Sequence, residues 1–392
     1  MNGSSSVSVG NSAEHVAIIG AGIVGLAQAW LAAESGRQVT VIERSSRAAG
    51  ASIRNFGMIW PIGQPHGDLY QTAMRSRARW LRLGAEAGIV VDPCGSIHAA
   101  HRGDEQAVLE EFAAAAPKLG VACQLLSPTE VLQRAPLINP DGLRCGLYSP
   151  TELCVNPTQA TRRLPDWLAT RHGVRFRFGV LASEVGQSAG RPLVVFSDGT
   201  RESFDRVVVC GGADFQTLFP EVLQNSGLVA CKLQMLALAA DCLPCRLGTH
   251  VAGGLTLRHY RIFEICPGLP SLRRRIAEET PELDQYGIHV MASQNDQGEL
   301  ILGDSHEYGS QIEPFDDVRI DEWILRELRH LLRLPAWKLS RRWHGIYAKH
   351  PDLPVFQAQP LPRVHIFTGT GGAGMTMSFG LAEDFWRSLQ NQ

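Results

Sequence analysis

The chain has 392 residues, 37 Lys plus Arg against 39 Asp plus Glu, and a formal net charge of −2. At roughly 100–200 residues per domain, that is two or three units with ample core, and near-neutrality removes any global attraction for nucleic acid or an anionic membrane. No apolar run approaches the roughly 18–20 residues of a membrane span. Residues 1–13, MNGSSSVSVGNSA, are small and polar, and predict a disordered lead-in without a secretory signal. With nine scattered Cys, an odd number, this predicts reduced thiols and a cytoplasmic location.

His15–Ile19 has a strand pattern and runs into Gly20-Ala21-Gly22-Ile23-Val24-Gly25. A helix is expected to about Ser35, and residues 38–43 read as a second strand ending in Glu43, which completes a βαβ unit. Helical spacing follows over 67–87 and 104–119, with a short strand at 96–100 between them. Ser127-Pro128-Thr129-Glu130 is a capping box opening a short helix to about Ala135. Asn156-Pro157 opens another helix, to about His172. A strand is expected at 175–178, a hairpin at Asp198-Gly199 between 193–197 and 201–204, and a buried strand over 206–210 entering Gly211-Gly212. From Cys231 the texture becomes strand-rich: 232–239, 287–294 and 300–304, with a turn over 295–298 and an amphipathic helix over 317–333. A late strand, 364–368, meets Gly369-Thr370-Gly371-Gly372-Ala373-Gly374, and a closing helix begins at about Met377. The simplest architecture is α/β (α+β overall), a parallel layer carrying an inserted mixed, mainly antiparallel sheet.

Gly20-x-Gly22-x-x-Gly25, set between a strand and a helix, is a dinucleotide-binding motif of the Rossmann kind. The first Gly makes the turn, the second lets backbone approach a pyrophosphate, and the third lets helix pack on strand. The helix N-terminus adds free N–H groups and partial positive charge. Glu43, followed by Arg44 and Ser45, sits where a carboxylate accepts ribose hydroxyls. The motif alone does not separate NAD from FAD. Two further Gly-rich loops, 50–57 and 369–374, favour FAD, which extends across its protein and needs close backbone approach at its far end. No Cys is placed by motif at the flavin, so the FAD is expected to be noncovalent.

At these residues, from about Glu14 to Trp386, the chain resembles the FAD-dependent amine oxidoreductases of the D-amino-acid-oxidase-like superfamily, with glycine and sarcosine oxidases as relatives. It is most similar to a branch associated with aminophosphonate breakdown. The matching stretches are GASIRNFGMIWP (50–61), LYSPTELCVNP (147–157), CGGADF (210–215), CKLQM (231–235), GGLTLRHY (253–260), GDSHEYG (303–309) and GAGMTMSFGLAE (372–383). The resemblance implies an FAD-binding domain over 14–85, 145–230 and 335–392, and a substrate domain over 86–144 and 231–334. It implies that Ala51, Ser52, Arg54, Asn55, Phe56 and Gly57 lie along the FAD and that Ala182 touches the adenine. Cys210, Gly211 and Gly212 would pass under the dinucleotide. Gly371, Gly372, Ala373, Gly374, Met375 and Thr376 would face flavin N1 and the C2 carbonyl, where N–H groups at a helix N-terminus stabilise negative charge.

Two departures from the family's pattern bear on chemistry. Tyr347, in Gly345-Ile346-Tyr347-Ala348, stands where amino-acid-oxidising relatives carry a carboxylate-clamping Arg. Ile301 stands where the sarcosine oxidase branch has a Lys that speeds reaction with oxygen. An anionic substrate still requires N–H or cationic partners. The candidates are Lys232, Gln234, His250, Arg258, His259, Tyr260, Tyr347 and Lys349, with Arg54, His259 and Tyr347 nearest the chemistry. His306 either lines the flavin or satisfies a turn. Cys242-Leu243-Pro244-Cys245 lacks a second CxxC or clustered His, and the His residues show no HExxH spacing, so no metal is expected.

The resemblance implies a small anionic amine, 2-aminoethylphosphonate or its N-methyl form, as substrate. Hydride transfer to flavin N5 and imine hydrolysis would yield phosphonoacetaldehyde with ammonia or methylamine. Hydrogen peroxide would form if oxygen is the acceptor. A glycine, sarcosine or D-amino-acid oxidase, and an amine dehydrogenase using a non-oxygen acceptor, are the alternatives.

Overall fold

The structure, a computed structural model, describes residues 13–390, so the expected lead-in lies outside it apart from Ala13. Two sheets dominate these residues. The first runs in the order Phe356–Leu361, Val364–Thr368, Arg206–Val209, His15–Ile19, Gln38–Glu43, Arg175–Phe178. All its pairs are parallel except the outermost one, Phe356–Leu361 with Val364–Thr368. Its central strands are short apolar runs, as strands covered on both faces must be. On one face lie the helices Ile23–Glu34, Asp68–Glu86 and Gly374–Gln390. There the Phe379 ring meets Trp30 at 5.3 Å and Trp80 at 5.2 Å, both edge-on. The other face carries a three-stranded antiparallel sheet packed around Phe196 and Phe204.

The second sheet is mixed and mainly antiparallel; only His250–Ala252 and Ser96–Ala100 pair in parallel. Its spine is Val229–Leu238, which pairs Glu307–Gly309 and Leu300–Gly303 along one edge and Leu339–Lys349 along the other. Helices Gly103–Leu119, Leu269–Glu279 and Val318–Leu331 bury its outer face. Among the described residues no helix is long and apolar enough to cross a membrane.

Several expectations shift. Leu339–Lys349 is a long strand that period-two reading misses, because Ser340, Arg341 and Arg342 are exposed in sequence and only residues 345, 347 and 348 are buried. Residues 339–349 and 145–149 join the second sheet, so expected boundaries at 335 and 145 fall on the wrong side of these strands. The strand expected over 287–294 is confined to Met291–Gln294. The last helix starts at Gly374 instead of Met377, which brings its first turn into the third Gly-rich loop.

Candidate active site

Between the two sheets lies a cleft of about 1080 Å³. One end is the turn after His15–Ile19. Gly20 has φ +105°, and a Cβ there would meet the Cys210 carbonyl oxygen at 2.4 Å. A Cβ on Gly25 would stand 1.9 Å from the Gly20 oxygen. These two glycines are required by the protein's own packing. Gly22 differs: its Cβ would meet only Ser52 Oγ, at 3.1 Å, and otherwise faces the cleft. The Ile23 N–H donates to Ser52 Oγ at 2.9 Å, so the second loop caps the first helix. Glu43 accepts from the backbone N–H of Ala21 and of Ser45, each at 2.9 Å, which fixes its carboxylate beside the turn. Asn55 ties the second loop to itself through the carbonyls of Ala51 and Ser52 and the N–H of Gly57.

Most residues expected at the cofactor line this cleft: Gly20, Gly22, Ile23, Val24, Glu43 to Ser45, Ala51, Ser52, Arg54 to Phe56, Ala182, Cys210 to Gly212 and Gly371 to Thr376. Ala21, Gly25 and Gly57 do not. They sit behind it as packing positions, Gly57 at φ +75° with a Cβ position 2.0 Å from the Val155 oxygen. Asp214 and Phe215, which end the stretch CGGADF, and Thr217 also line it, beyond the residues expected at the cofactor.

The opposite end is made of side chains. Tyr347 lies across from Cys231 in the sheet, and its hydroxyl is near Gly372, 3.6 Å from where a Cβ would stand. Burial pushes its phenol well up, so it is a neutral donor. Lys349, two residues on, donates to the Tyr308 hydroxyl at 3.3 Å. His259, Tyr260 and Arg261 line the same end, as do His289, Asp304 and His306. Burial holds all three imidazoles low, His306 at about 4, and raises Asp304 well above the carboxylate range.

Four expected substrate residues do not reach the cleft. On the strand Val229–Leu238, Leu233 and Met235 line it, so Lys232 and Gln234 point to the opposite face. Lys232 is 1% exposed; its Nζ pairs with Asp316 Oδ1 at 3.1 Å and donates to the carbonyls of Glu313 and Phe315. Gln234 donates to Asp321 Oδ1 and the Asp317 carbonyl. Arg258 is consumed by the carbonyls of Leu255, Leu283 and Ile288 and by Asp284. His250 lies behind Trp60, hydrogen-bonded to the Leu153 carbonyl. Ile301 packs with Met235, Ala237 and Tyr347, so no cation comes from that strand position.

A family model described as FAD dependent oxidoreductase, DAO, matches residues 15–385. Among solved structures, the chain is similar to a glycine oxidase from Bacillus cereus, at 17% identity and TM-score 0.76, over 96% of this chain and 95% of that one. It is similar to an L-proline dehydrogenase from P. horikoshii, at 19% identity and TM-score 0.73, over 97% and 94%. An FAD-bound L-alpha-glycerophosphate oxidase from Mycoplasma pneumoniae gives 17% identity and TM-score 0.74, over 97% and 95%. Contiguous glycine turns, a cleft that continues past them to a wall of donors, and a family match over almost the entire chain lead to one conclusion: this is an enzyme of the DAO family of FAD dependent oxidoreductases.

Proposed function

We propose that the enzyme oxidises the C–N bond of a small amine bearing a remote anionic group, with 2-aminoethylphosphonate or its N-methyl form as substrate. FAD fits the cleft on the protein's own geometry: Gly22 leaves room at the turn where a pyrophosphate needs it, and the first turn of the helix that starts at Gly374 lines the cleft. Gly20, Gly22, Ile23 and Glu43 would hold the dinucleotide, Ser52 and Arg54 its middle, and Gly371 to Met375 the ring. Bound there, FAD supplies a two-electron acceptor that takes hydride from the carbon next to nitrogen. The protein orients the amine, excludes water and holds the anion. Hydrolysis of the resulting imine yields an aldehyde, phosphonoacetaldehyde for this substrate, with ammonia or methylamine.

The observation that carries this reading is Tyr347. A neutral phenol at position 347, with Lys349 beside it and the guanidinium groups of Arg54 and Arg261 elsewhere on the cleft, offers several separate donors instead of one fork at that position. Separate donors suit the three oxygens of a phosphonate better than the two of a carboxylate. The names of similar structures, glycine oxidase and L-proline dehydrogenase among them, support amine chemistry. Noncovalent attachment is supported by the Cys content of the cleft: among the described residues only Cys210 lines it, beside the turn at Gly20. Nine free Cys support a reducing, cytoplasmic location.

The test is anaerobic mixing of the yellow protein with a panel of amines. Bleaching by 2-aminoethylphosphonate or its N-methyl form ahead of glycine and sarcosine is expected; preference for the amino acids refutes the phosphonate assignment. Oxygen consumption then separates an oxidase from a dehydrogenase. Acid precipitation should release the colour, and colour kept in the pellet refutes noncovalent binding.

A further inference from the structure

We propose that His259, His289 and His306, completed by Asp304, form a binding site for one divalent transition-metal ion, zinc being the best match. The four residues come from three separate segments: the end of the turn Gly254–Arg258, the approach to Met291–Gln294, and the link from Leu300–Gly303 to Glu307–Gly309. One ring nitrogen from each His lies within 4.8 Å of the others. His289 Nε2 stands 3.4 Å from Asp304 Oδ1, and His306 Nε2 stands 3.9 Å from Asp304 Oδ2. Two ligands of a tetrahedral ion, each about 2.0–2.1 Å from it, are about 3.4 Å apart. The two His–Asp separations are thus at or slightly above that of ligands sharing an ion, and the three imidazole nitrogens lie within 4.8 Å of one another.

Unmet polar valence points the same way. Both ring nitrogens of His289 and Oδ1 of Asp304 have no hydrogen-bond partner among the described residues, although the two residues are 2% and 5% exposed. Buried polar groups are rarely left so, since each costs free energy without a partner. A cation accepts a lone pair from one His289 nitrogen and from Asp304 Oδ1 together, which leaves the second His289 nitrogen to carry the ring proton. His306 is already oriented for this: its Nδ1 bonds the Gly287 carbonyl at 3.1 Å, which sets Nε2 as the free lone pair. Three imidazoles with one carboxylate and no thiolate suit zinc and its neighbours, whereas magnesium and calcium prefer oxygen. The inference stands apart from the proposed amine oxidation, since binding the ion requires neither a redox change nor a substrate.

The test uses flavin-loaded protein dialysed against a chelator and then titrated with Zn²⁺ by calorimetry. One Zn²⁺ per chain is expected, and it should raise the melting temperature. Outer-shell partners alone are worth about 10–100-fold in metal affinity, so His289→Leu and Asp304→Asn should each weaken binding by at least about 100-fold. Retained flavin colour shows that each variant is folded; should His289→Leu lose it, the nearly isosteric Asp304→Asn decides. Replacing Cys242 and Cys245 together by Ser should leave binding unchanged. Absence of saturable one-to-one binding, binding that survives both ligand variants, or binding lost in the Cys variant overturns the proposal. Failure to oxidise any amine would leave this result untouched.

Discussion

The glycine-lined side of the cleft is mostly backbone, drawn from three short contiguous loops at 20–25, 50–57 and 369–374, the last of which reaches Tyr347. The other side is made of side chains, contributed singly by distant segments: Arg54, His259, His289, Asp304, Tyr347 and Lys349. Backbone recognition depends on what is missing, a Cβ, and each position acts through local geometry. Side-chain recognition depends on which face of a strand a residue occupies, and that is set by sheet register over long sequence distances. Lys232 and Lys349 show the contrast. Both are cations in the second sheet, yet one is buried against Asp316 on the outer face and the other lines the cleft.

The largest effect expected from this comparison is at Gly22. Only Ser52 Oγ, 3.1 Å from a Cβ there, must give way by a few tenths of an ångström, so Gly22→Val should fold yet purify without flavin. Gly25→Ala should instead disrupt the turn, because its Cβ would overlap the Gly20 oxygen. Visible absorbance beside thermal unfolding reads both; full flavin occupancy in Gly22→Val would break the assignment of that end.

Next in size is Arg258→Ala. It strips three carbonyls and Asp284 of a shared donor, and leaving even one or two buried carbonyls unsatisfied costs about 2–4 kcal/mol. The loss should appear in urea unfolding, with half-saturation for anionic and neutral amines altered alike. A selective loss for anionic amines would return Arg258 to the substrate.

Lys349→Ala should do what Arg258→Ala does not. Loss of a half-buried cation at the cleft should raise the half-saturating concentration of an anionic amine about tenfold, or about 1.4 kcal/mol, and leave ethylamine unchanged. Steady-state kinetics with the two substrates decides.

The effect that is smallest near neutral pH concerns the wall behind Trp60. His98 is fully buried with both ring nitrogens unbonded, and burial lowers its pKa to about 3. Its unfolded pKa is near 6.5, so between about pH 6.5 and 3 the unfolded chain holds the extra proton and stability falls as pH falls. His98→Leu removes that loss. Its advantage over the parent should grow below pH 6.5 by up to about 1.4 kcal/mol per pH unit. Taking the difference between the two proteins cancels opposing groups such as Glu152, whose raised pKa favours the folded state in acid. Parallel stability curves would show that His98 finds a proton acceptor.

The amino-acid order by itself determined the dinucleotide end. Gly20-x-Gly22-x-x-Gly25, Glu43 and the late Gly-rich loop are local patterns, and each flanking strand and helix has a hydrophobic period that betrays it. The strand Arg175–Phe178, the helix Pro157–His172 and the capping box at Ser127 were legible for the same reason. The substrate end was legible only as a roster of polar residues. Arg258 stood out because it is charged and next to His259 and Tyr260, but a guanidinium satisfies backbone carbonyls as readily as a ligand. Only the tertiary structure counts those carbonyls. His289 and Asp304 carried no spacing signal, since the antiparallel strands that join them bring together positions remote in sequence. Local patterns record what neighbours along the chain must do; which side chains share a cleft is decided by strand register and closure of the sheet, and that information is spread over the whole chain.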